Sequence, residues 1–266
     1  MTEGAWRTAY ASVVGTSHAK TKAPCQDAGA CAVVRAGNGG EVLVAAVADG
    51  AGTASRSEAG AALAVEMFLT DFGEAVRGER GVAAIDRAFA LRWLASVQAA
   101  VADLAGRDGT QPRDYACTVL GAVVGPAGAA YLQIGDGAIV VSGEEPGEYH
   151  WVFWPQHGEF ANTTNFVTQE GADRVLLFEC DGPAVDEIAL FSDGIERLVL
   201  DWSARTVHSP SFRPIFEWLA GTEPGVASGP SGALAAYLGS DHVNRRTDDD
   251  KTLVMATRPR RCAGAA

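Results

Sequence analysis

Hydrophobic and polar positions recur with two different periods along this chain, and the periods divide it into strands and helices. Short apolar and β-branched runs predict strands over residues 6–15, 30–34, 41–47, 117–124, 129–134, 138–142, 150–154, 175–180, 188–191 and 252–256. Two longer segments place apolar residues three and four positions apart, which predicts amphipathic helices over 55–72 and 81–105. Further helices are predicted over 194–200 and, in two pieces, within 210–239.

The order of these elements predicts an α+β fold. Most predicted strands follow one another through short turns, and the helices are grouped in sequence. A doubly wound parallel sheet would instead need a helix between successive strands. The chain shows no internal repeat and no linker long enough to separate two domains. We therefore expect a single domain over residues 1–266, with its core at about 6–257.

Composition and charge narrow the classes of partner. The 266 residues are 47% hydrophobic and 20% charged, which is typical of a globular protein. The net charge of −12 argues against nucleic acid, a membrane surface or any other polyanion as a partner. Neither a basic leader followed by an apolar core nor an apolar run of membrane-spanning length is visible. The five cysteines form no C-x-x-C pair, and an odd count suits reduced thiols. The expected location is the cytoplasm.

Aspartates stand beside the ends of several predicted strands. The segments concerned are Gln26-Asp27, Asp49-Gly50, Gly135-Asp136, Asp193-Gly194 and the run Asp248-Asp249-Asp250. A strand end holds a carboxylate rigidly, and a neighbouring glycine lets the backbone approach whatever the carboxylate binds. Several carboxylates that converge from separate strands bind hard divalent cations such as Mg²⁺ or Mn²⁺. The pattern therefore predicts a metal-dependent hydrolase.

The order of these motifs resembles that of the metal-dependent protein phosphatases of type 2C, the PPM group. Members carry an acidic pair, an Asp-Gly, a Gly-Asp, a Ser-Asp-Gly and a terminal Asp-Asn or Asp-Asp, in that order. Here these read Gln26-Asp27, Asp49-Gly50, Gly135-Asp136, Ser192-Asp193-Gly194 and Asp249-Asp250. The resemblance covers about residues 15–254. It implies a four-layer α-β-β-α sandwich, with two antiparallel sheets flanked by helices, and a protein serine/threonine phosphatase of bacterial type.

The resemblance also implies catalytic roles for three aspartates. Asp49 would bridge two Mn²⁺ or Mg²⁺ ions, with the carbonyl of Gly50 as a further ligand. Asp193 and Asp249 would each complete one side of this binuclear centre. Two neighbouring cations lower the pKa of a shared water, which attacks phosphorus in line, so no covalent phosphoenzyme is needed.

Further metal ligands are implied with less definition. Asp136 matches a position that can hold a third, weaker cation, and Asp27 matches an acid that acts through metal-bound water. At the terminal run, Asp248 and Asp250 compete with Asp249 for the ligand position.

A polar segment before the first acidic pair supplies candidates for binding phosphate. Family members often place an arginine there, and by spacing Lys22 takes its place, with His18 and Lys20 nearby. A lysine lacks the bidentate fork of arginine. We expect the segment 16–24 to form a loop at the mouth of the metal cleft. Ala51 stands where some relatives carry a proton-donating histidine, so the general acid stays open.

The aromatic residues divide into two groups. Segment 154–166 is rich in aromatic and amide side chains and stands where type 2C relatives place a variable flap. It is either a substrate contact or an ordered surface loop, and both interpretations stay open. Trp93, Trp202 and Trp218 are among the aromatics at helical spacing and are expected in the core.

Several functions compete with the leading hypothesis. A catalytically weak or silent relative could bind phosphoproteins, although the intact Asp49, Asp193 and Asp249 favour retained metal binding. A phosphomonoesterase acting on small molecules or nucleotides would need the same metals. A Ca²⁺-binding structural protein is disfavoured because no EF-hand spacing is present. The leading hypothesis implies a phosphorylated protein as substrate, a Ser/Thr kinase or its targets as further partners, and a monomer.

Overall fold

Two large β-sheets and eight helices are built from residues 5–156, 164–226 and 228–259, the part of the chain that this computed structural model describes. The strands are β1 (Arg7–Val13), β2 (Ala28–Arg35), β3 (Glu41–Ala48), β4 (Val119–Val124), β5 (Ala129–Ile134), β6 (Ala138–Ser142), β7 (Tyr149–Trp151), β8 (Leu177–Gly182), β9 (Glu187–Phe191), β10 (Leu200–Asp201), β11 (Thr206–Val207), β12 (Gly225–Val226) and β13 (Lys251–Thr257). The helices are α1 (Thr16–Thr21), α2 (Ser57–Val76), α3 (Arg87–Asp108), α4 (Ala172–Val175), α5 (Asp193–Val199), α6 (Ser209–Ala220), α7 (Ser228–Leu238) and α8 (Asp241–Asn244). Two 3₁₀ turns span Gly81–Ala84 and Pro112–Tyr115.

The strands form two antiparallel sheets that pack face to face. The first sheet has the order β12-β1-β13-β9-β6-β7, and its short β12–β1 pair is parallel. The second has the order β2-β3-β4-β5-β8 and is antiparallel throughout. Helices α2 and α3 cover the outer face of the second sheet, and α5, α6 and α7 cover the first. The predicted α+β sandwich of four layers is confirmed.

The apolar runs form central strands because each face of a strand meets a different layer. In β3, Leu43, Ala45 and Val47 lie in the core between the sheets. The intervening Val42 and Val44 belong to the core shared with α2 and α3. Side chains alternate across a strand, so a strand buried on both faces needs a continuous apolar run.

Aromatic side chains fill the layer between α2, α3 and the second sheet. Phe68 and Phe72 stack with ring centroids 3.9 Å apart. Trp93 of α3 meets Phe68 edge to face at 5.6 Å. All three are buried, so the helix pair is held to the sheet mainly by burial of large apolar surface.

Helix α3 has the length and composition of a membrane span, with 22 residues and a mean hydropathy of 1.2. Its apolar face, which includes Trp93, Leu94 and Val97, is buried in the protein core. The core helix of a soluble protein passes the same test of length and composition, so this helix is weak support for a membrane span.

The register of the sheets brings several strand ends to one edge of the sandwich. Strand β3 ends at Ala48, directly opposite Ala28 at the start of β2. Strand β9 ends at Phe191, which lies opposite Leu253 of β13 and Ala138 of β6. The acidic segments leave or enter the strands at these ends, so they meet at a single edge.

Some local predictions were wrong. The predicted loop 16–24 contains helix α1, which was missed because six residues are too few for an apolar period. Trp93 is buried as predicted, but Trp202 and Trp218 are 36% and 40% exposed. Trp202 lies in the turn between β10 and β11 and not on a helix.

Candidate metal centre and phosphate site

A cleft of about 400 Å³ opens at the edge where the strand ends meet. Its lining includes Asp27, Asp49, Asp136, Asp193, Asp249 and Asp250, together with Ser17, His18, Gln26, Gly50, Thr118 and Thr164. The structure therefore brings every acidic candidate ligand except Asp248, and also Gly50, to one place.

Asp49 and Gly50 are fixed by close backbone contacts. The N–H of Asp49 donates to Thr118 Oγ1 at 3.0 Å, and the N–H of Thr118 donates back to the Asp49 carbonyl at 2.8 Å. A Cβ on Gly50 would lie 2.5 Å from the Gln26 carbonyl oxygen and 2.8 Å from Ser57 Cβ. Only glycine fits there, so the Asp-Gly pair here is a requirement of packing as well as of chemistry.

Asp49 and Asp193 line the same cleft, and each carboxyl affects the ionisation of the other. Burial raises the pKa of Asp49 well above its ordinary value, and the negative charges of Asp27 and Asp193 add to the effect. Burial likewise raises the pKa of Asp193 to about 6. Two buried carboxyls that interact in this way favour a shared proton or a bound cation, because it is costly for both to stay charged without one.

Asp27 is anchored by a serine from the neighbouring sheet. Ser192 Oγ donates to Asp27 Oδ2 at 2.6 Å and accepts the N–H of Thr252 at 3.0 Å. Burial raises the pKa of Asp27 to about 7, the Ser192 hydrogen bond opposes this shift, and the charge of Asp250 increases it. Asp27 thus joins strands of both sheets at the floor of the cleft.

The terminal run divides its tasks between two carboxylates. Asp250 is only 3% exposed, and its side chain accepts hydrogen bonds from the N–H groups of Gly15 and Gln26, both at 2.6 Å. His18 Nδ1 lies 2.9 Å from the same carboxylate. Asp249 is exposed and faces the cleft. Asp249 is therefore the better placed ligand, and Asp250 ties the N-terminal segment to β13.

Lys251 is a buried cation behind this run that the sequence reasoning did not single out. Its side chain is fully buried, and Nζ donates to Asn244 Oδ1 at 3.0 Å and to the Asp249 carbonyl at 3.2 Å. Burial lowers the pKa of Lys251, while the charges of Asp250 and Asp249 act in the opposite direction. A lysine directly before an apolar strand was the available signal.

Asp136 sits in a tight turn between β5 and β6. Its N–H donates to Thr164 Oγ1 at 3.2 Å, and Gly135 before it has a φ of +99°, which favours glycine. The N–H of Gly137 donates to Glu196 Oε1 at 2.8 Å. Glu196 is buried, and burial raises its pKa to about 8. The Glu196 carboxyl, which was not predicted from the sequence, stabilises the turn through this hydrogen bond.

Of the three cationic candidates for phosphate binding, all within the described residues, only His18 lines the cleft. Lys20 and Lys22 are exposed. Lys22 ends helix α1 in the left-handed conformation, with a φ of 59°. The helix, which the sequence did not reveal, directs the chain so that neither lysine reaches the cleft lining.

The donor set fits a hydrated divalent cation. Among the described residues, no three Asp, Glu, His or Cys side chains form a ready-made group that could hold a metal ion. Mg²⁺ keeps several waters and needs only one or two carboxylates from the protein, which the Asp49–Asp193 pair supplies. The side-chain oxygen of Gln26, also at the cleft, is buried and has no hydrogen-bond partner in the described structure. Such an oxygen can accept a hydrogen bond from a coordinated water.

Comparison with known proteins places these features in context. The profile of the family described as protein phosphatase 2C matches residues 14–239. Serine/threonine-protein phosphatase 3 of Escherichia coli (strain K12) is 38% identical over 256 residues, which cover 94% of this chain and 98% of that protein.

Solved structures show the same fold at low sequence identity. The serine/threonine phosphatase Stp1 from Staphylococcus aureus has a TM-score of 0.58 at 14% identity, with 97% of each chain covered. PppA, a regulatory component of the type VI secretion system in Pseudomonas aeruginosa, has a TM-score of 0.60 at 17% identity, with 97% of this chain and 99% of that chain covered.

Proposed function

The chain belongs to the protein phosphatase 2C family, and from this premise we propose that it is a metal-dependent phosphatase that hydrolyses phosphoserine and phosphothreonine in proteins. The observation that carries the proposal is the convergence of Asp49, Asp193 and Asp249 on one cleft from three separate strand ends. The 38% identical relative, which is named as a serine/threonine-protein phosphatase, supports the same reaction.

The acidic residues divide the task of holding cations. Asp49 and Asp193 would hold Mn²⁺ or Mg²⁺ between them, with the Gly50 carbonyl as a further ligand and Asp249 on the other side. Asp136, at the same cleft, would hold a third. When bound, such cations lower the pKa of a coordinated water and neutralise charge on the phosphoryl oxygens.

His18 is the side chain best placed to contact the phosphoryl group. Its Nδ1 is held by Asp250, so Nε2 is the ring nitrogen left for a phosphoryl oxygen. A histidine oriented by a buried carboxylate presents one fixed donor to the cleft. Lys22 and Lys20 remain predictions from spacing alone.

The competing functions differ in what they require of the cleft. A phosphomonoesterase for small molecules would use the same residues and is distinguished only by its substrates. A silent phosphoprotein-binding relative would bind cations without turnover. Cytoplasmic location and a monomeric state are parts of the proposal too. Cys25, Cys31 and Cys117 carry free thiols, which is compatible with a reducing compartment.

Hydrolysis assays test the proposal directly. A phosphothreonine peptide and an aryl phosphate are assayed with Mn²⁺ and with a chelator, for the native chain and for Asp49→Ala, Asp193→Ala and Asp248→Ala. We expect loss of activity in chelator and a fall of at least about 100-fold in kcat for the first two variants, with Asp49→Ala the more severe.

Asp248→Ala is the matched control, because Asp248 is exposed and does not line the cleft. Titration calorimetry with Mn²⁺ should show weaker binding to Asp49→Ala and Asp193→Ala than to the native protein, and unchanged binding to Asp248→Ala. Activity that is unchanged both by the chelator and by the Asp49→Ala and Asp193→Ala substitutions would refute the proposal. Mn²⁺ binding without hydrolysis of either substrate would instead favour the silent relative.

A further inference from the structure

Three tryptophans and one arginine form an ordered aromatic surface, here called the tryptophan patch (Trp151, Trp154, Trp202 and Arg205). The rings of Trp151 and Trp154 meet edge to face at 5.7 Å, and those of Trp154 and Trp202 at 5.2 Å. The guanidinium of Arg205 lies 5.4 Å from the Trp154 ring centroid. The patch is therefore a continuous chain of ring contacts.

Backbone contacts hold the patch in a defined shape. Trp151 Nε1 donates to the Arg205 carbonyl at 2.9 Å. Arg205 has a φ of 54°, a conformation that costs energy for any residue but glycine and persists only where the surroundings impose it. This arginine links the β10–β11 hairpin to strand β7 and fixes how the three rings are presented.

Two of the three tryptophans of the patch are exposed in spite of their size and apolar character, and Trp154 is half-buried. Trp151 is 37% exposed and Trp202 is 36% exposed. These are two of the five large hydrophobic side chains that are exposed in the described part of the chain. Exposed, rigidly held tryptophans are a common feature of surfaces that bind another polypeptide.

A short segment of chain connects the patch to the rim of the acidic cleft. Trp151 pairs with Val140 of β6, and β6 begins only two residues earlier in the chain, directly after the turn that carries Asp136. Beyond Trp154, the side chain of Gln156 accepts the N–H of Gly135 at 2.7 Å. The segment from Trp151 to Gln156 thus runs from the patch to the rim of the cleft.

We propose that the tryptophan patch binds the polypeptide that flanks the phosphorylated residue of the substrate, and that it favours segments with proline close to that residue. This inference rests on the proposed function. A phosphoresidue seated in the cleft would carry its flanking chain across the adjoining rim. The occupant is apolar because the one cation of the patch, Arg205, is already placed over Trp154.

Proline is the residue whose chemistry fits this surface best. Extended proline-containing segments dock on exposed aromatic rings because the polyproline II conformation is preformed and loses little entropy on binding. A net charge of −12 would also disfavour strongly acidic flanks.

The test compares substrates with and without a flank. Trp151→Ala and Trp202→Ala are assayed on a phosphothreonine peptide with proline beside the phosphoresidue, on the same peptide with proline changed to glycine, and on p-nitrophenyl phosphate. We expect a fall of about 10-fold in kcat/KM on the proline peptide, mainly through a higher KM. Activity on p-nitrophenyl phosphate, and the smaller activity on the glycine peptide, should change less than about 2-fold.

Trp218→Ala is the matched control, since Trp218 is an equally exposed tryptophan on α6 whose ring lies outside the patch. Thermal unfolding of each variant checks folding. If Trp151→Ala is unstable because the Arg205 carbonyl loses its donor, Trp202→Ala carries the comparison. Patch variants that match Trp218→Ala on the proline peptide, or that lower all three activities equally, would overturn the inference.

The inference can also be tested by measuring peptide binding, which does not depend on catalytic turnover. If the native protein hydrolyses neither peptide nor aryl phosphate, the proposed function fails, and affinity for the proline peptide is then measured by fluorescence polarisation. Weaker binding by the patch variants than by Trp218→Ala would support the docking surface, and equal binding would refute it.

Discussion

Asp249 and Asp250 are adjacent in sequence but face different surroundings. The carboxylate of Asp249 is open to the cleft, whereas that of Asp250 is buried and accepts two backbone N–H groups. Those donors, Gly15 and Gln26, precede it by more than 200 residues. One carboxylate is thus open to the cleft, and its neighbour holds the chain that forms the cleft wall.

Removal of the Asp250 carboxylate should therefore cost stability first. In Asp250→Ala the N–H groups of Gly15 and Gln26 would lose their acceptor in a buried site. An unsatisfied buried donor costs about 1–3 kcal/mol, so we expect the free energy of unfolding to fall by ~2–4 kcal/mol. Urea denaturation in the presence of a chelator measures this change in the free energy of unfolding.

Asp248→Ala is the control for this prediction, because the exposed Asp248 side chain should contribute less than about 0.5 kcal/mol. Equal stability of the two variants would show that the Asp250 bonds contribute little. A loss of Mn²⁺ affinity in Asp250→Ala without loss of stability would assign Asp250 a ligand role instead.

At the residue scale, sequence reasoning found the acidic side chains that line the cleft and missed the distant contacts that position them. Asp49, Asp136 and Asp193 were recognisable because each stands at the end of an apolar run beside glycine. The choice of Asp249 over Asp250 depends on donors from the other end of the chain, which no local pattern reveals. Lys22 was selected by spacing, and the path of helix α1 decides that it lies outside the cleft lining.

Helix α5 begins against the backbone of the acidic run. Gly194, its second residue, lies so close to the Asp250 carbonyl oxygen that a Cβ there would overlap it. The neighbouring Asp193 is presented at the start of this helix. The packing of α5 against the chain before β13 therefore determines where the Asp193 side chain lies in the cleft.

Two glycine-to-alanine changes in helices should have opposite signs. Gly194→Ala forces the start of α5 away from Asp250, and we expect it to destabilise the protein by ~2 kcal/mol or more. Gly232→Ala in α7 meets no atom within 4 Å, so the better helix propensity of alanine should stabilise by about 0.5–1 kcal/mol. Thermal or urea unfolding compares them, and a neutral Gly194→Ala would contradict the close contact.

At the element scale, the strands were predicted well because β3, β5 and β9 are buried on both faces and consist almost entirely of apolar residues. Helices of six residues or fewer were missed. Helix α1 has six residues, and α8 has four. Such short helices are held in place by hydrogen bonds to distant residues. In α1, the N–H of Ser17 donates to the Asp248 carbonyl. Their sequences are too short to show a helical repeat of apolar residues.

The clustering of carboxyls makes the stability of the whole metal-free molecule depend on pH. Burial raises the pKa of Asp27 to about 7 and of Asp193 to about 6, above the ordinary value of 3.8. A raised folded-state pKa means that the folded protein holds the proton more tightly than the unfolded chain. The part of the folding stability that these protonated carboxyls provide is then present at low pH and lost as pH rises through about 6–7.

We therefore expect the chelator-treated protein to lose at least ~2 kcal/mol of stability between pH 5 and pH 8. Added Mn²⁺ should flatten the profile, because a cation favours the charged carboxylates. Calorimetric Tm values across this range measure both. Asp27→Asn should reduce the slope in chelator, and a metal-free Tm that rises with pH would exclude this account.

The position of β13 has a consequence for the order in which the protein becomes functional. This strand inserts between β1 and β9 at the centre of the first sheet, although β1 opens the described chain and β13 is its last strand. During synthesis, β1 and β9 must therefore wait with unpaired edges until β13 emerges. Asp249, two residues before the first residue of β13, is synthesised just before this strand. If Asp249 is a metal ligand as proposed, a chain that has not yet reached β13 would lack phosphatase activity, and the open edges of β1 and β9 would be exposed to wrong pairing until then.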